Sequence, residues 1–137
     1  MNASSGVKRK VMDEQIEAAI QERAREGMLR CAAAFRVAKE LGVTPLAVGK
    51  AADALEVRLV HCQLGLFGHG ERKRIVEPAE EVPPELEQAI REGLVEGRLP
   101  CATAWAIATR FRMPKLHVAN AAEKLKVRIG PCQLGAF

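Results

Sequence analysis

The sequence predicts a mainly α-helical fold with short β-strands, built from two tandem repeats of the order helix-helix-helix-strand. Residues 16–67 align with residues 86–137 without a gap, and 23 of the 52 aligned positions are identical. Apolar residues recur at helical spacing in three segments of each copy, and a short alternating segment follows the third. Such a repeat indicates one duplicated structural unit. Residues kept in both copies therefore build the architecture, and residues kept once are candidates for function.

Four segments divide the chain. Residues 1–12 are expected to form a basic N-terminal arm, residues 13–67 repeat 1, residues 68–84 a linker or hairpin, and residues 85–137 repeat 2. A repeat of about 50 residues supports only a marginal core of its own. We therefore expect the two copies to pack on each other or on a second chain, related by a pseudo-twofold axis or by a translation.

The first helix of each repeat is predicted by apolar spacing, from Asp13 onward in repeat 1 and from Pro84 in repeat 2. Its apolar stripe consists of Ile16, Ala19, Ile20 and Ala24 in repeat 1, and of Leu86, Ala89, Ile90 and Leu94 in repeat 2. Gly27 and Gly97 are expected to end these helices, because glycine readily adopts the left-handed conformation of a C-terminal cap.

The second and third helices follow after short connections. The stripe of the second helix consists of Cys31, Ala34, Phe35, Ala38 and Leu41 in repeat 1, and of Cys101, Ala104, Trp105, Ala108 and Phe111 in repeat 2. Thr44 and Pro45 are typical of an N-cap and a first-turn proline, and they predict the start of the third helix. Its copy begins at Met113-Pro114.

A strand is predicted after each third helix, because Val57-Arg58-Leu59 and Val127-Arg128-Ile129 alternate apolar and basic residues. The linker from Gly68 to Pro84 is expected to be exposed. It can include a hairpin, since Gly70 lies between the strand-like stretches Val57–Phe67 and Arg74–Val76.

The short turn between the second and third helices has a characteristic pattern. Ala38 provides a small residue where the two helices cross, and Gly42 provides a residue that tolerates positive φ. Apolar residues face the core at Val37, Leu41, Val43, Val48 and Ala51. The segment Ala34 to Leu55 resembles the helix-turn-helix family, and three helices followed by a strand resemble its winged-helix variety. In repeat 2 Arg112 replaces Gly42, and arginine enters the left-handed conformation only with strain.

The resemblance implies a DNA-binding protein, a small transcriptional regulator in which the third helix is presented outward. It implies that this helix exposes Thr44, Pro45, Leu46, Gly49, Lys50 and Asp53 in repeat 1, and Pro114, Lys115, Leu116, Ala119, Asn120 and Glu123 in repeat 2. The net charge of +4 is concentrated in the arm and in repeat 2, which has eight bases and five acids against seven and eight in repeat 1. Such asymmetry favours a polyanionic partner.

Double-stranded DNA is therefore the predicted partner. The candidate contact residues are Lys8, Arg9, Lys10, Thr44, Lys50, Arg110, Arg112, Lys115, Asn120 and Lys124. Asn120 is the best candidate for reading a base edge, with Lys50 as its weaker counterpart. The alternative is a protein-interaction adaptor, because Leu46 and Leu116 recur at a position that the motif usually exposes. A homodimer or a separate protein partner stays open.

The cysteines Cys31, Cys62, Cys101 and Cys132 recur in pairs 31 positions apart, without the close second ligand that zinc sites use. They are expected to be buried thiols; a metal shared between the repeats and disulfides within each repeat are the alternatives. The recurring segment Cys62-Gln63-Leu64-Gly65, repeated at 132–135, is interpreted as a turn that lets its leucine cover the core. A small binding loop is the other interpretation.

No enzymatic activity, cofactor or metal is predicted. The sequence contains no glycine-rich phosphate loop, no Ser-His-Asp ordering and no HExxH motif. No apolar run approaches the roughly 18 residues of a membrane span, and no apolar signal core follows the basic start. We therefore expect a cytoplasmic protein that does not contact membranes.

Overall fold

The computed structural model describes residues 3–70 and 74–137, with side chains from residue 11 onward. The described part is mainly helical with a few short strands, which confirms the predicted class. In chain order the elements are α1 (Ala3–Arg23), β1 (Met28–Arg30), α2 (Cys31–Leu41), α3 (Pro45–Ala54), β2 (Arg58–Val60), α4 (Pro84–Glu92), β3 (Arg98–Leu99), α5 (Cys101–Arg110), α6 (Lys115–Lys124) and β4 (Arg128–Ile129). None of these helices is both long and apolar enough to cross a membrane.

The first helix differs from the prediction at both ends. It begins at Ala3 rather than near Asp13, so most of the predicted arm is helical backbone. Helix α1 ends at Arg23 and α4 ends at Glu92, before Gly27 and Gly97 are reached. The two glycines have φ values of 75° and 79°, and each lies in a tight turn ahead of the next strand. They are turn residues, not helix ends, because the turn also requires a left-handed residue.

Each repeat contains a strand that the periodicity did not predict. Strand β1 pairs in parallel with β2, with Leu29 opposite Leu59, and β3 pairs in parallel with β4, with Leu99 opposite Ile129. Parallel strands need a long crossover connection, and the second and third helices provide it. The predicted strands after the third helices are confirmed. β1 and β3 are only three and two residues long, too short for an alternation to stand out.

The turn between the second and third helices has the predicted geometry. Gly42 has φ 65° and ψ 34°, and its N–H donates to the carbonyls of α2. Thr44 is the N-cap of α3, where its hydroxyl accepts a hydrogen bond of 3.1 Å from the N–H of Ala47. Arg112 adopts φ 53°, so repeat 2 keeps the same turn with a residue that is strained in it.

The two repeats pack on each other and exchange their CQLG loops, residues 62–65 and 132–135. Cys62 and Leu64 lie in the core of repeat 2, whereas Cys132 and Leu134 lie in the core of repeat 1. Equivalent aromatic residues also meet across the boundary: the ring centroids of Phe35 and Trp105 lie 4.3 Å apart, and those of Phe67 and Phe137 lie 5.9 Å apart. Reciprocal contacts of this kind indicate a twofold relation, so the repeats are related by a pseudo-twofold axis and not by a translation.

The described part of the linker forms no hairpin strand and instead follows α6. The N–H of Ile75 donates to the carbonyl of Gly65 at 2.8 Å. Further along, the N–H of Glu77 donates to the side-chain oxygen of Asn120 at 2.9 Å, and the N–H of Ala79 donates to the backbone carbonyl of the same residue at 3.0 Å. The linker is therefore attached to repeat 2 by its backbone.

Candidate nucleic-acid interface

Basic side chains lie at both ends of α6. Arg110 ends α5, Arg112 lies in the turn, Lys115 begins α6 and Lys124 ends it. Arg110, Arg112 and Lys124 are exposed, and in the described part of the chain no acidic side chain forms an ion pair with any of the four. The structure thus places four predicted contact residues on α6, on the turn before it and at the end of α5, and none of them has an ion-pair partner among the described acids.

The two bases at the start of this surface contact aromatic rings. The Lys115 ammonium lies 4.6 Å from the centroid of the Trp105 ring, and the Arg110 guanidinium lies 5.2 Å from that of Phe111. Cation–π contacts of this kind are worth about 0.5–1 kcal/mol at exposed sites. They restrict the positions of both cations and leave their charge available to an anion.

Asn120 has a structural role that the sequence did not predict. Its side chain is partly buried, and its Oδ1 accepts the hydrogen bond from Glu77 described above. An amide that reads adenine must offer both its oxygen and its nitrogen to the base edge. Because the oxygen of Asn120 already binds the linker, the structure does not present this residue as the predicted base reader.

The predicted outward faces of the third helices are covered only in part: half of their twelve predicted residues are exposed, and two are buried. Gly49 and Ala119 were expected to be exposed, and both are buried. The backbone of Leu134 lies directly against Gly49. Leu46 and Leu116 extend toward Gly135 and Gly65 of the opposite CQLG loop. The exchanged loops thus occupy part of the space in which the resemblance predicted an open helix face, and periodicity within one repeat could not reveal this.

Helix α3 retains a small exposed polar surface. Thr44 and Lys50 are exposed, as predicted. The Thr44 hydroxyl is used in capping α3, whereas no described acidic residue pairs with Lys50. Lys50 is therefore the better placed of the two predicted base-edge residues. The side chains of Lys8, Arg9 and Lys10 lie outside the described residues.

The four cysteines are buried, and all four are free thiols. Burial raises the pKa of the Cys31 thiol from 9.0 to about 11, and it also raises the pKa of Cys62 and of Cys101. The Gln133 amide donates toward Cys101 Sγ at 3.5 Å. Among the described residues no three His, Cys, Asp or Glu side chains are placed to hold a metal ion. The thiols are core residues, as the spacing predicts.

Comparison with known proteins gives no family for the chain. No protein-family model, curated protein or solved structure matches it. The arrangement of its own residues is therefore the basis on which its function is inferred.

Proposed function

We propose that the chain is a DNA-binding protein with two helix-turn-helix units, and that it binds duplex DNA mainly through phosphate contacts made by repeat 2. The observation that carries the proposal is the set of unneutralised bases at the two ends of α6. Phosphate contacts dominate the affinity of most DNA-binding proteins, and they require accessible cations more than a deeply inserted helix.

The duplication supports this proposal, because the bases are specific to one copy. Arg110, Arg112, Lys115 and Lys124 align with Glu40, Gly42, Pro45 and Ala54 of repeat 1. The fold does not require a base at these positions, since repeat 1 forms the same helices and the same turn without any. A difference of this kind is what we expect where one copy has acquired a polyanion-binding surface.

The dimensions of α6 also fit a DNA groove. A helix of ten residues is about 15 Å long, and the major groove is about 12 Å wide. Bases at the two ends of such a helix can reach phosphates on both sides of the groove. The partly covered helix faces and the engaged Asn120 leave few polar groups for base edges, so we propose weak sequence preference.

The proposal includes the helix-turn-helix and omits the wing. The helix-turn-helix is supported by the turn around Gly42, the cap at Thr44 and the matching turn at Arg112. A wing needs an antiparallel hairpin, whereas each sheet of the described residues has two parallel strands. The regulatory role and a cytoplasmic location are part of the same proposal.

The adaptor alternative has less support than it had from sequence. Its main observation was the pair of repeated leucines, and both contact the opposite CQLG loop. Leu116 is only partly exposed, whereas 44% of Leu46 stays exposed. Because these leucines have a use within the fold, they do not require a separate protein partner.

The test is a titration of duplex DNA at several salt concentrations with two matched triple variants. R110Q/R112Q/K124Q removes three charges from the α6 surface, and R30Q/R36Q/K39Q removes three exposed charges from repeat 1. The first variant is expected to bind more weakly, with a log–log salt slope shallower by about 2 to 3, because each lost phosphate contact contributes about 0.9. The second is expected to bind like the wild-type protein. Equal loss in both variants, or a flat salt response of the wild type, overturns the proposal.

Asn120→Ala provides an independent check on how DNA is contacted. The sequence-based assignment of Asn120 to a base edge predicts weaker binding. The structure instead predicts unchanged DNA affinity and faster proteolysis near residues 77–79, because the linker loses its side-chain hydrogen bond.

A further inference from the structure

A cavity of about 770 Å³ lies between the two repeats, and we call it the dyad pocket. Its apolar lining includes three equivalent pairs from the two copies, namely Leu59 with Ile129, Leu66 with Ala136, and Phe67 with Phe137. Lining by both members of each pair places the cavity at the boundary between the repeats, and repeat 2 alone adds Glu123, Lys126 and Arg128. Its volume falls within the range of about 300–1,000 Å³ that is typical of small-molecule sites, which often lie between domains.

The aromatic floor of the dyad pocket is only partly buried in the core. The rings of Phe67 and Phe137 meet edge to face at 5.9 Å, and Phe137 is 43% exposed. Large exposed apolar side chains beside a cavity are typical of binding grooves. A flat apolar molecule that covers Phe137 would remove this surface from water.

The charged rim of the dyad pocket breaks the symmetry. Arg74 pairs with Glu123 at 3.2 Å, whereas no described acidic side chain pairs with Lys126 or Arg128. Lys126 aligns with Glu56 of repeat 1, so the cation is specific to one copy. The rim therefore carries two positive charges that have no ion-pair partner among the described residues, beside an apolar floor.

We propose that the dyad pocket binds a small organic anion with a flat apolar body. The body lies on Phe67 and Phe137, and its carboxylate, sulfonate or phosphate group is held by Lys126 and Arg128. A charge-assisted contact to such a group is stronger than a neutral hydrogen bond. The occupant would contact both repeats, so binding also stabilises their packing. This site uses neither the bases at the ends of α6 nor any DNA contact.

The probe for the test is 8-anilinonaphthalene-1-sulfonate, followed by fluorescence. Its uncharged relative N-phenyl-1-naphthylamine and inorganic sulfate separate the apolar and anionic requirements. We expect one sulfonate probe per chain, weaker binding of the neutral amine, and no effective competition by sulfate alone. K126E/R128Q is expected to weaken the probe about tenfold or more, as the loss of hydrogen bonds from charged groups implies. The matched charge variant K39E/R58Q changes net charge equally outside the pocket and is expected to retain binding.

Ala136→Trp provides a second variant that fills the cavity and keeps its charges. It is expected to abolish probe binding with the circular dichroism spectrum and Tm retained. The proposal is overturned when the wild type binds no probe, when both charge variants bind equally well, when the neutral amine binds as tightly as the sulfonate, or when folded A136W still binds.

Discussion

The backbone carbonyl of Leu134 in repeat 2 lies against the Cα of Gly49 in repeat 1, in space that any Cβ at position 49 would need. Helix α3 thus approaches the exchanged CQLG loop closely enough to require glycine. Leu134 is 2% exposed and belongs to the core of repeat 1. The contact shows that the loop of one repeat lies on α3 of the other. It covers part of the helix face that a helix-turn-helix usually presents.

Gly49→Ala is expected to destabilise the protein, although alanine favours helix more than glycine does. The added methyl group meets backbone, which moves less readily than a side chain. Overpacking of a core costs about 1–3 kcal/mol, so urea unfolding should show a loss in this range. Asp53→Ala, at an exposed position of the same helix, serves as the control and should change stability little. A G49A variant as stable as the wild type would contradict the close approach of the loop.

Arg112→Gly is expected to stabilise the protein, and Gly42→Ala to destabilise it. Both residues have positive φ in equivalent turns, and the left-handed conformation costs a non-glycine residue about 1–2 kcal/mol. Removing this strain from repeat 2 should raise Tm, and adding it to repeat 1 should lower it by a similar amount. Thermal melts of the two variants measure both effects; shifts of the same sign would contradict the shared turn.

Stability is expected to fall between pH 9 and pH 11 partly because of Cys31. Burial disfavours the thiolate and raises the pKa of this thiol to about 11 in the folded state, above the ordinary value of 9.0. Below pH 9 both states hold the proton and stability is unaffected. As pH rises toward 11 the unfolded thiol ionises first, which favours unfolding by about 2–3 kcal/mol, since one pKa unit corresponds to 1.36 kcal/mol.

Cys31→Ala removes this contribution at the cost of a small cavity. The stability advantage of the wild type over C31A in urea unfolding should therefore shrink as pH rises from 8 to 10.5. Parallel pH profiles of the two proteins would show that Cys31 ionises equally easily in both states.

The sequence predicted the local structure well because that structure depends on neighbouring residues. The third helices start as the cap at Thr44 indicates, and the turn at Gly42 follows from its conformational freedom. The CQLG loops were correctly expected to cover a core with Leu64 and Leu134. Which core each loop covers depends on packing between residues of different repeats, such as Gly49 and Leu134, so it could not be read from spacing. The same contact covers part of the helix face, and the attached linker engages the side-chain oxygen of Asn120, neither of which could be read from residue spacing.

The exchange of loops predicts that a truncation in one repeat weakens the other. Leu64 and Leu134 are almost fully buried, and replacing such a leucine by alanine costs about 2–5 kcal/mol. In Leu64→Ala, hydrogen exchange should accelerate most in α5 and α6 of repeat 2, although residue 64 belongs to repeat 1. In Leu134→Ala it should accelerate most in α2 and α3. Val95→Ala, at a position that is 59% exposed, should leave both patterns unchanged. Faster exchange in α2 and α3 of L64A would instead mean that each loop closes the core of its own repeat. That result would contradict the contact of Leu134 with Gly49 across the repeats.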